Sequence, residues 1–311
     1  MRAYKTAPQL EKDIPYTCKL SWLQLMRPLT WSGTISPILA GSLLAGSENA
    51  LHYEKTGLLV IAALLIQSGA NLFNDYFDFR HGQDNERWHK VQGSSTNRYP
   101  CHHQVPAAGA ILMAAAVLLG GRLAFLTGWW VAVVGILGIL AGISYSAGRR
   151  SLASRGLGEW TAGLFLGMVT TLLGYSVQTG TITVEAVLTG IVFALLISSM
   201  VLTNNIRDIK KDEGFRRTIA MKLGHRNAIR LLKGLLFSAY LLVIILVTFS
   251  FVPVGVLVVL LAFPLAIRIP RSFGAQQEEA QLAMKRAALH HWAFGMLFIL
   301  GMVIGSPQVL Q

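Results

Sequence analysis

The 311-residue sequence predicts an all-α integral membrane protein, with nine transmembrane helices in one bundle and a cytoplasmic N-terminus. Three observations carry that expectation. Apolar residues make up 53% of the chain and charged residues only 14%, where a soluble globule needs about a quarter charged to cover its surface. Mean hydropathy is +0.51. Lys and Arg also segregate between alternate loops once nine spans are drawn. The missing polar surface has to face something apolar, which excludes a soluble enzyme and a disordered chain.

The spans run in order over 22–46, 56–79, 106–124, 127–147, 158–178, 183–206, 229–250, 253–268 and 289–306, most of them near the ~20 apolar residues that cross a bilayer. The third and eighth are short, and Gly120, Gly121 and Pro264 interrupt them. With the N-terminus inside, the inner segments 1–27, 80–105, 148–157, 207–233 and 268–288 collect 25 of the 27 Lys and Arg residues, leaving Lys55 and Arg122 outside. That split fixes the expected orientation. It also explains the net charge of +12 as an inner-loop excess, with no nucleic-acid partner. Residues 1–21 read as a cytoplasmic tail and 22–311 as one transmembrane domain. The tail lacks a charged-then-apolar stretch with a small-residue cleavage site, so the first helix is expected to be the anchor. Cys18 and Cys101 lie far apart without metal-ligand spacing, and no disulfide or zinc site is expected.

Chemistry concentrates at two inner helix ends, in Asn71–Asp84 (NLFNDYFDFRHGQD) and Asn204–Asp212 (NNIRDIKKD). Carboxylates and amides at a membrane helix end are costly unless they serve a polar cavity or a ligand. Asn74 and Asp78 are four apart and share a helical face, with Asp75 beside them and Asp84 after a break at Gly82. Asn204, Asp208 and Asp212 step by four in the same way. A single such Asp would read as a helix cap or an ion-pair partner. Two matched copies point instead to one shared site. Facing carboxylates repel and resist ionisation, and divalent cations resolve the conflict. Hard oxygens in an incomplete protein cage suit Mg²⁺, which shares its shell with substrate phosphates. The pattern therefore predicts a diphosphate held between the two helix ends by metal bridges. Arg80, Arg207, Lys211, Arg216 and Arg217 lie near enough in sequence to clamp phosphate oxygens.

These residues resemble the two aspartate-rich motifs of the UbiA superfamily of intramembrane prenyltransferases, and within it the 1,4-dihydroxy-2-naphthoate branch. Supporting stretches are Arg27-Pro28-Leu29-Thr30, the Tyr145-Ser-Ala-Gly run and Gly156-Leu-Gly-Glu159. The five residues between Asp78 and Asp84 favour that branch. Arg149-Arg150 replaces its usual Pro-Lys, and the 85–105 loop lacks its Gly-Pro-x-Arg stretch. The resemblance implies a nine-helix UbiA-type bundle in the cell inner membrane with its active site facing the cytoplasm. It also implies two Mg²⁺ ions, a polyprenyl diphosphate donor and an aromatic acid acceptor. Asp75, Asp78, Asp208, Asp212 and Tyr145 are then the expected catalytic residues. Asn71, Asn74, Arg80, Asn204, Arg207, Lys211 and Arg150 are the expected diphosphate contacts, and Asp75, Asp78, Asp84, Asp208 and Asp212 the expected metal ligands.

The implied reaction is Mg²⁺-dependent prenylation of dihydroxynaphthoate with loss of CO₂, giving demethylmenaquinone. Prenylation of 4-hydroxybenzoate or another aromatic is the alternative. A transporter with related halves is a second class, disfavoured because its ionisable groups belong near the bilayer midplane. Phe73, Tyr76, Phe77 and Phe79 are placed to flank the carbocation, with ordinary helix packing or lipid contact the favoured reading. Glu159 reads as a group that caps or orients the fifth helix. His81, His225, His290 and His291 carry no expected catalytic role.

Overall fold

The computed structural model describes residues 16–46, 50–90, 99–148, 151–274 and 277–305. The apolar helices in chain order are α1 (Ser32–Gly46), α2 (Tyr53–Arg80), α3 (Val105–Thr127), α4 (Trp130–Ser146), α5 (Gly158–Thr179), α6 (Val184–Arg207), α7 (His225–Thr248), α8 (Val254–Arg271) and α9 (Gln277–Gly305). Among the described residues, seven are long and apolar enough to cross a membrane, and α1 and α4 are shorter apolar helices of 15 and 17 residues. The protein is a multi-pass membrane protein.

The expected first span, 22–46, is not one helix. Ser21 caps a single turn, Trp22–Leu25, through a reciprocal capping box with Gln24. The chain then breaks at Arg27, which adopts the left-handed conformation (φ 58°). Pro28 explains the break, since its ring disfavours helical backbone in the residue before it. At the other end, α9 begins at Gln277, well before the apolar stretch starts at 289, because a helix can continue through polar residues beyond the bilayer.

Packing is built on α1 and α6. α1 lies along α5 and also meets α9; α6 packs on α5, α7 and α9; α2 runs along α3. The α1–α5 crossing is so close that a Cβ on Gly41 would strike the Thr171 carbonyl, and one on Gly174 the Ile38 carbonyl. α5 carries a π-helical segment, Gly163–Val169, which presents Gly163 and Gly167 to the α6 backbone at Ala194. The largest core cluster among the described residues joins α1, α5, α6, α7, α8 and α9 through Tyr175, Phe193, Phe294 and Phe298.

A small cap covers one end of α2. Strand β1 (Tyr16–Cys18) pairs antiparallel with β2 (Trp88–Lys90), Thr17 opposite His89. Tyr76 and Phe79 of α2 pack into this cap: the Tyr76 ring stacks on His102 with centroids 4.5 Å apart, and Phe79 meets Trp88 and Tyr16 at 5.2 Å. Phe73 packs against Gly109 of α3. These aromatics are used in packing, as their sequence context indicated.

Candidate active site

The 28 residues of α2 span about 42 Å at 1.5 Å per residue, more than the ~30 Å hydrocarbon core. The surplus carries Asn71–Arg80 to the helix end. There Gly82 (φ 85°) turns the chain back and Asp84 takes a left-handed conformation (φ 55°). α6 ends similarly. Its helical hydrogen bonds stop at Arg207, Asp208 is the C-cap, and Asp212 lies in the following turn with its N–H donated to the Asp208 carbonyl at 2.8 Å. Asp212 therefore stands beyond the helix and does not continue its face, a correction to the four-residue periodicity.

The two loops that follow bring the motifs together. Arg216, after α6, pairs with Asp78 of α2 and donates from Nε to the Gln83 side-chain oxygen at 3.1 Å. Gln83 in turn donates to Asp212 at 3.2 Å. Lys211 bridges to Asp84 and to Glu86 (2.7 Å). On the α2 side, Asp75 is 2% exposed, and its Oδ1 accepts from Arg27 at 2.9 Å and Arg87 at 3.1 Å. Arg87 also meets Asp84 at 3.0 Å. Arg207 holds Asp208 through both carboxylate oxygens (2.8 and 2.6 Å) and donates to the Asn204 side chain at 2.8 Å. Among the described residues, five carboxylates (Asp75, Asp78, Asp84, Asp208, Asp212) are thus interleaved with five cations (Arg27, Arg87, Arg207, Lys211, Arg216).

The remaining expected residues are placed as follows. Asn74 accepts a 2.7 Å hydrogen bond from Ser146, tying the end of α4 to α2. Tyr145 is its neighbour, and its hydroxyl lies where Gly158 opens α5; a Cβ at Gly158 would sit 3.2 Å from that oxygen. Asn71 donates to the Met26 carbonyl at 3.0 Å, steadying the turn that presents Arg27. Arg80 is exposed and turned away from the carboxylates, its guanidinium 5.7 Å over the Tyr76 ring. Arg150 lies outside the described residues. Glu159 is buried and accepts from Asn205 at 2.9 Å, joining the start of α5 to the end of α6; it orients that helix, as its position suggested.

Sequence reasoning assigned no role to Arg87, Gln83 or Ser146, and saw Arg27 only as part of a short motif. All four act over long chain separations except Arg87, whose spacing of three from Asp84 was a visible signal.

Electrostatics follow from the interleaving. Burial opposes the Asp84 charge, but Arg87 and Lys211 outweigh it and hold the carboxyl below its usual range. Asp212 is pushed up to about 6, first by burial and then by Asp208 and Asp78, with Arg216 opposing. Burial works against the Arg216 charge as well, yet Asp78 and Asp212 raise its pKa.

The donor set is one of hard oxygens, and Asp75 Oδ2 is buried without a hydrogen-bond partner. That suits a hard divalent cation with an incomplete protein cage. Among the described residues no three acidic, His or Cys groups already converge on one ligand point; cations separate them.

The sequence model of the UbiA prenyltransferase family matches residues 34–294. The "1,4-dihydroxy-2-naphthoate octaprenyltransferase" of Bacillus subtilis (strain 168) is 31% identical over 308 residues, covering 96% of each chain. A solved digeranylgeranylglyceryl phosphate synthase superposes with a TM-score of 0.60 at 15% identity, covering 91% of this chain and 98% of its own. A UbiA homolog from Archaeoglobus fulgidus, bound to DMAPP and Mg²⁺, superposes with a TM-score of 0.56 at 13% identity, covering 94% of this chain and 99% of its own.

Proposed function

The chain belongs to the UbiA prenyltransferase family, and from that premise we propose that it transfers a polyprenyl group from its diphosphate to 1,4-dihydroxy-2-naphthoate, with Mg²⁺ as cofactor. One observation carries the reading: acidic motifs from two helices meet in a single cluster, joined by Asp78–Arg216 and Asp84–Lys211. The naphthoate acceptor is supported by the Bacillus relative, which matches nearly end to end. We further infer nine membrane crossings with α1 and α4 included, an inner-membrane location, two Mg²⁺ ions, and an active site on the cytoplasmic face where the Lys and Arg residues collect.

The cluster works by exchange of partners. Arg27, Arg87, Arg207, Lys211 and Arg216 each face a carboxylate. An arriving diphosphate offers these cations phosphate oxygens, which guanidinium forks bind in bidentate fashion. The carboxylates so released, Asp75 and Asp78 of α2, Asp84 in the loop after it and Asp208 at the end of α6, would together with Asp212 hold the metal ions. When bound, Mg²⁺ neutralises charge on the diphosphate as it departs.

Asn74, locked by Ser146, and Tyr145, seated against Gly158, position the diphosphate end of the donor. Asn71 acts indirectly by fixing the Arg27 turn. The allylic C–O bond breaks with its electron pair leaving on the diphosphate, in a pocket that keeps water from the carbocation. A ring carbon of the acceptor supplies the new C–C bond, and loss of CO₂ from that carbon returns an electron pair to the ring.

The test supplies purified protein, Mg²⁺ and a labelled polyprenyl diphosphate with either dihydroxynaphthoate or 4-hydroxybenzoate. Prenylated product from the naphthoate alone, with CO₂ released, is expected. Product from the benzoate alone, which gives up a proton and keeps its carboxylate, would overturn the acceptor.

A pH dependence follows from Asp212. Its folded-state carboxyl titrates at about 6, above the ordinary 3.8, so this group favours folding most at low pH and loses that contribution as pH rises through 6. Cation binding has the opposite sign, because it needs the carboxylate. The Mg²⁺ concentration for half-maximal activity should rise about tenfold for each pH unit below 6. Asp212→Asn should remove the inflection, and an inflection unchanged in that variant would rule Asp212 out as its source.

A further inference from the structure

A second cationic site lies between α8 and α9 and shares no residue with the acidic cluster. It is a groove of about 330 Å³ lined by Leu265, Arg268, Arg271, Arg286 and Leu289. The spacing gives it two layers. On α8, Arg268 lies one turn beyond Leu265 toward the helix end, and Arg271 one turn further; on α9, which runs back, Arg286 lies one turn before Leu289. Apolar side chains thus form the deeper layer and three guanidiniums the outer one.

The charges there are not balanced internally. In the acidic cluster every arginine meets a carboxylate at hydrogen-bond distance. In the groove, Arg268 and Arg271 are exposed and have no carboxylate partner among the described residues. Arg286 donates to the Ser272 hydroxyl at 2.6 Å and has Glu279 only at 3.7 Å. Inner-loop cations that merely set orientation need not converge, and need no apolar floor. This convergence matches an amphiphilic anion, since a free phosphate would gain nothing from Leu265 and Leu289.

We propose that the groove binds one anionic phospholipid, its phosphate held by Arg268, Arg271 and Arg286 and an acyl chain laid on Leu265 and Leu289. The site tethers the α8–α9 turn to the anionic leaflet, where each such Arg adds measurable attraction.

The experiment is native mass spectrometry of the full chain in detergent, with phosphatidylglycerol, phosphatidylcholine of the same acyl chains, or phosphatidylglycerol plus millimolar inorganic phosphate. The wild-type protein should retain one phosphatidylglycerol at least about tenfold more tightly than phosphatidylcholine, undisturbed by phosphate. Arg268→Gln/Arg271→Gln should weaken retention about 30-fold, with its unfolding midpoint in detergent unchanged. Arg268→Lys/Arg271→Lys, which keeps the charge, should restore most of it. Equal retention of the two lipids, displacement by inorganic phosphate, or unchanged retention by the Gln variant would each overturn the proposal. The lipid competition on wild-type protein decides it even where a variant folds poorly, and it does not depend on the prenyl-transfer reading.

Discussion

Asp78→Asn and Asp208→Asn should each lower kcat for prenyl transfer by about 10²–10³-fold, the scale seen when one preorganised electrostatic group is removed from a charge-developing transition state. The two residues sit on different helices, Asp78 in the last turns of α2 and Asp208 at the C-cap of α6. A role for only one motif would make the second substitution nearly silent. Steady-state assays on both variants, at saturating donor and acceptor, check this directly. Because Asn keeps the size and hydrogen-bonding capacity of Asp, folding should survive. Each variant also leaves a cation, Arg216 or Arg207, without its carboxylate. Their phosphate affinity should therefore fall less than their turnover.

Arg216→Gln should be the most destabilising single charge change in the site, costing about 3–5 kcal/mol. The Arg216–Asp78 side chains are 15% and 10% exposed, so removing the cation strands a buried carboxylate. It also removes the donor to Gln83 that holds Asp212. Adding Asp78→Asn to the variant should recover most of the loss, since the unpaired charge is then gone. The surface pair Arg122–Glu54, 53% and 60% exposed, is the control: Arg122→Gln should change stability by less than about 1 kcal/mol. Chemical denaturation in detergent measures all three. Equal effects at Arg216 and Arg122 would mean the cluster is solvated and its pairs weak.

Hydropathy made the helices legible because it reports which residues face lipid. It therefore located α2 to α8 closely and erred where helix and bilayer part company. The turn at Arg27-Pro28 is a backbone event inside an apolar stretch, and the first two turns of α9 are helical but polar. The acidic motifs were legible on different grounds. Carboxylates at a membrane helix end are expensive, and an Asn-x-x-x-Asp spacing repeated on two helices is hard to account for without a shared ligand.

Their partners were not legible. The inner loops hold so many Lys and Arg residues that topology alone accounts for them. Nothing in a chain separation of 48 or 138 residues says that Arg27 meets Asp75 or that Arg216 meets Asp78. Arg80 shows the converse, since its place in the motif made it a candidate and the helix turns it out onto Tyr76.

If two acidic motifs hold one diphosphate through divalent cations, donor binding depends on the metal and on both motifs. Calorimetric titration of geranyl diphosphate into purified protein tests it most directly, with Mg²⁺ or with EDTA, in wild type, Asp78→Asn and Asp208→Asn. Saturable binding in Mg²⁺ that disappears in EDTA and weakens in both variants is the expected result. Binding that persists in EDTA, or that survives in either variant at wild-type affinity, would contradict the account.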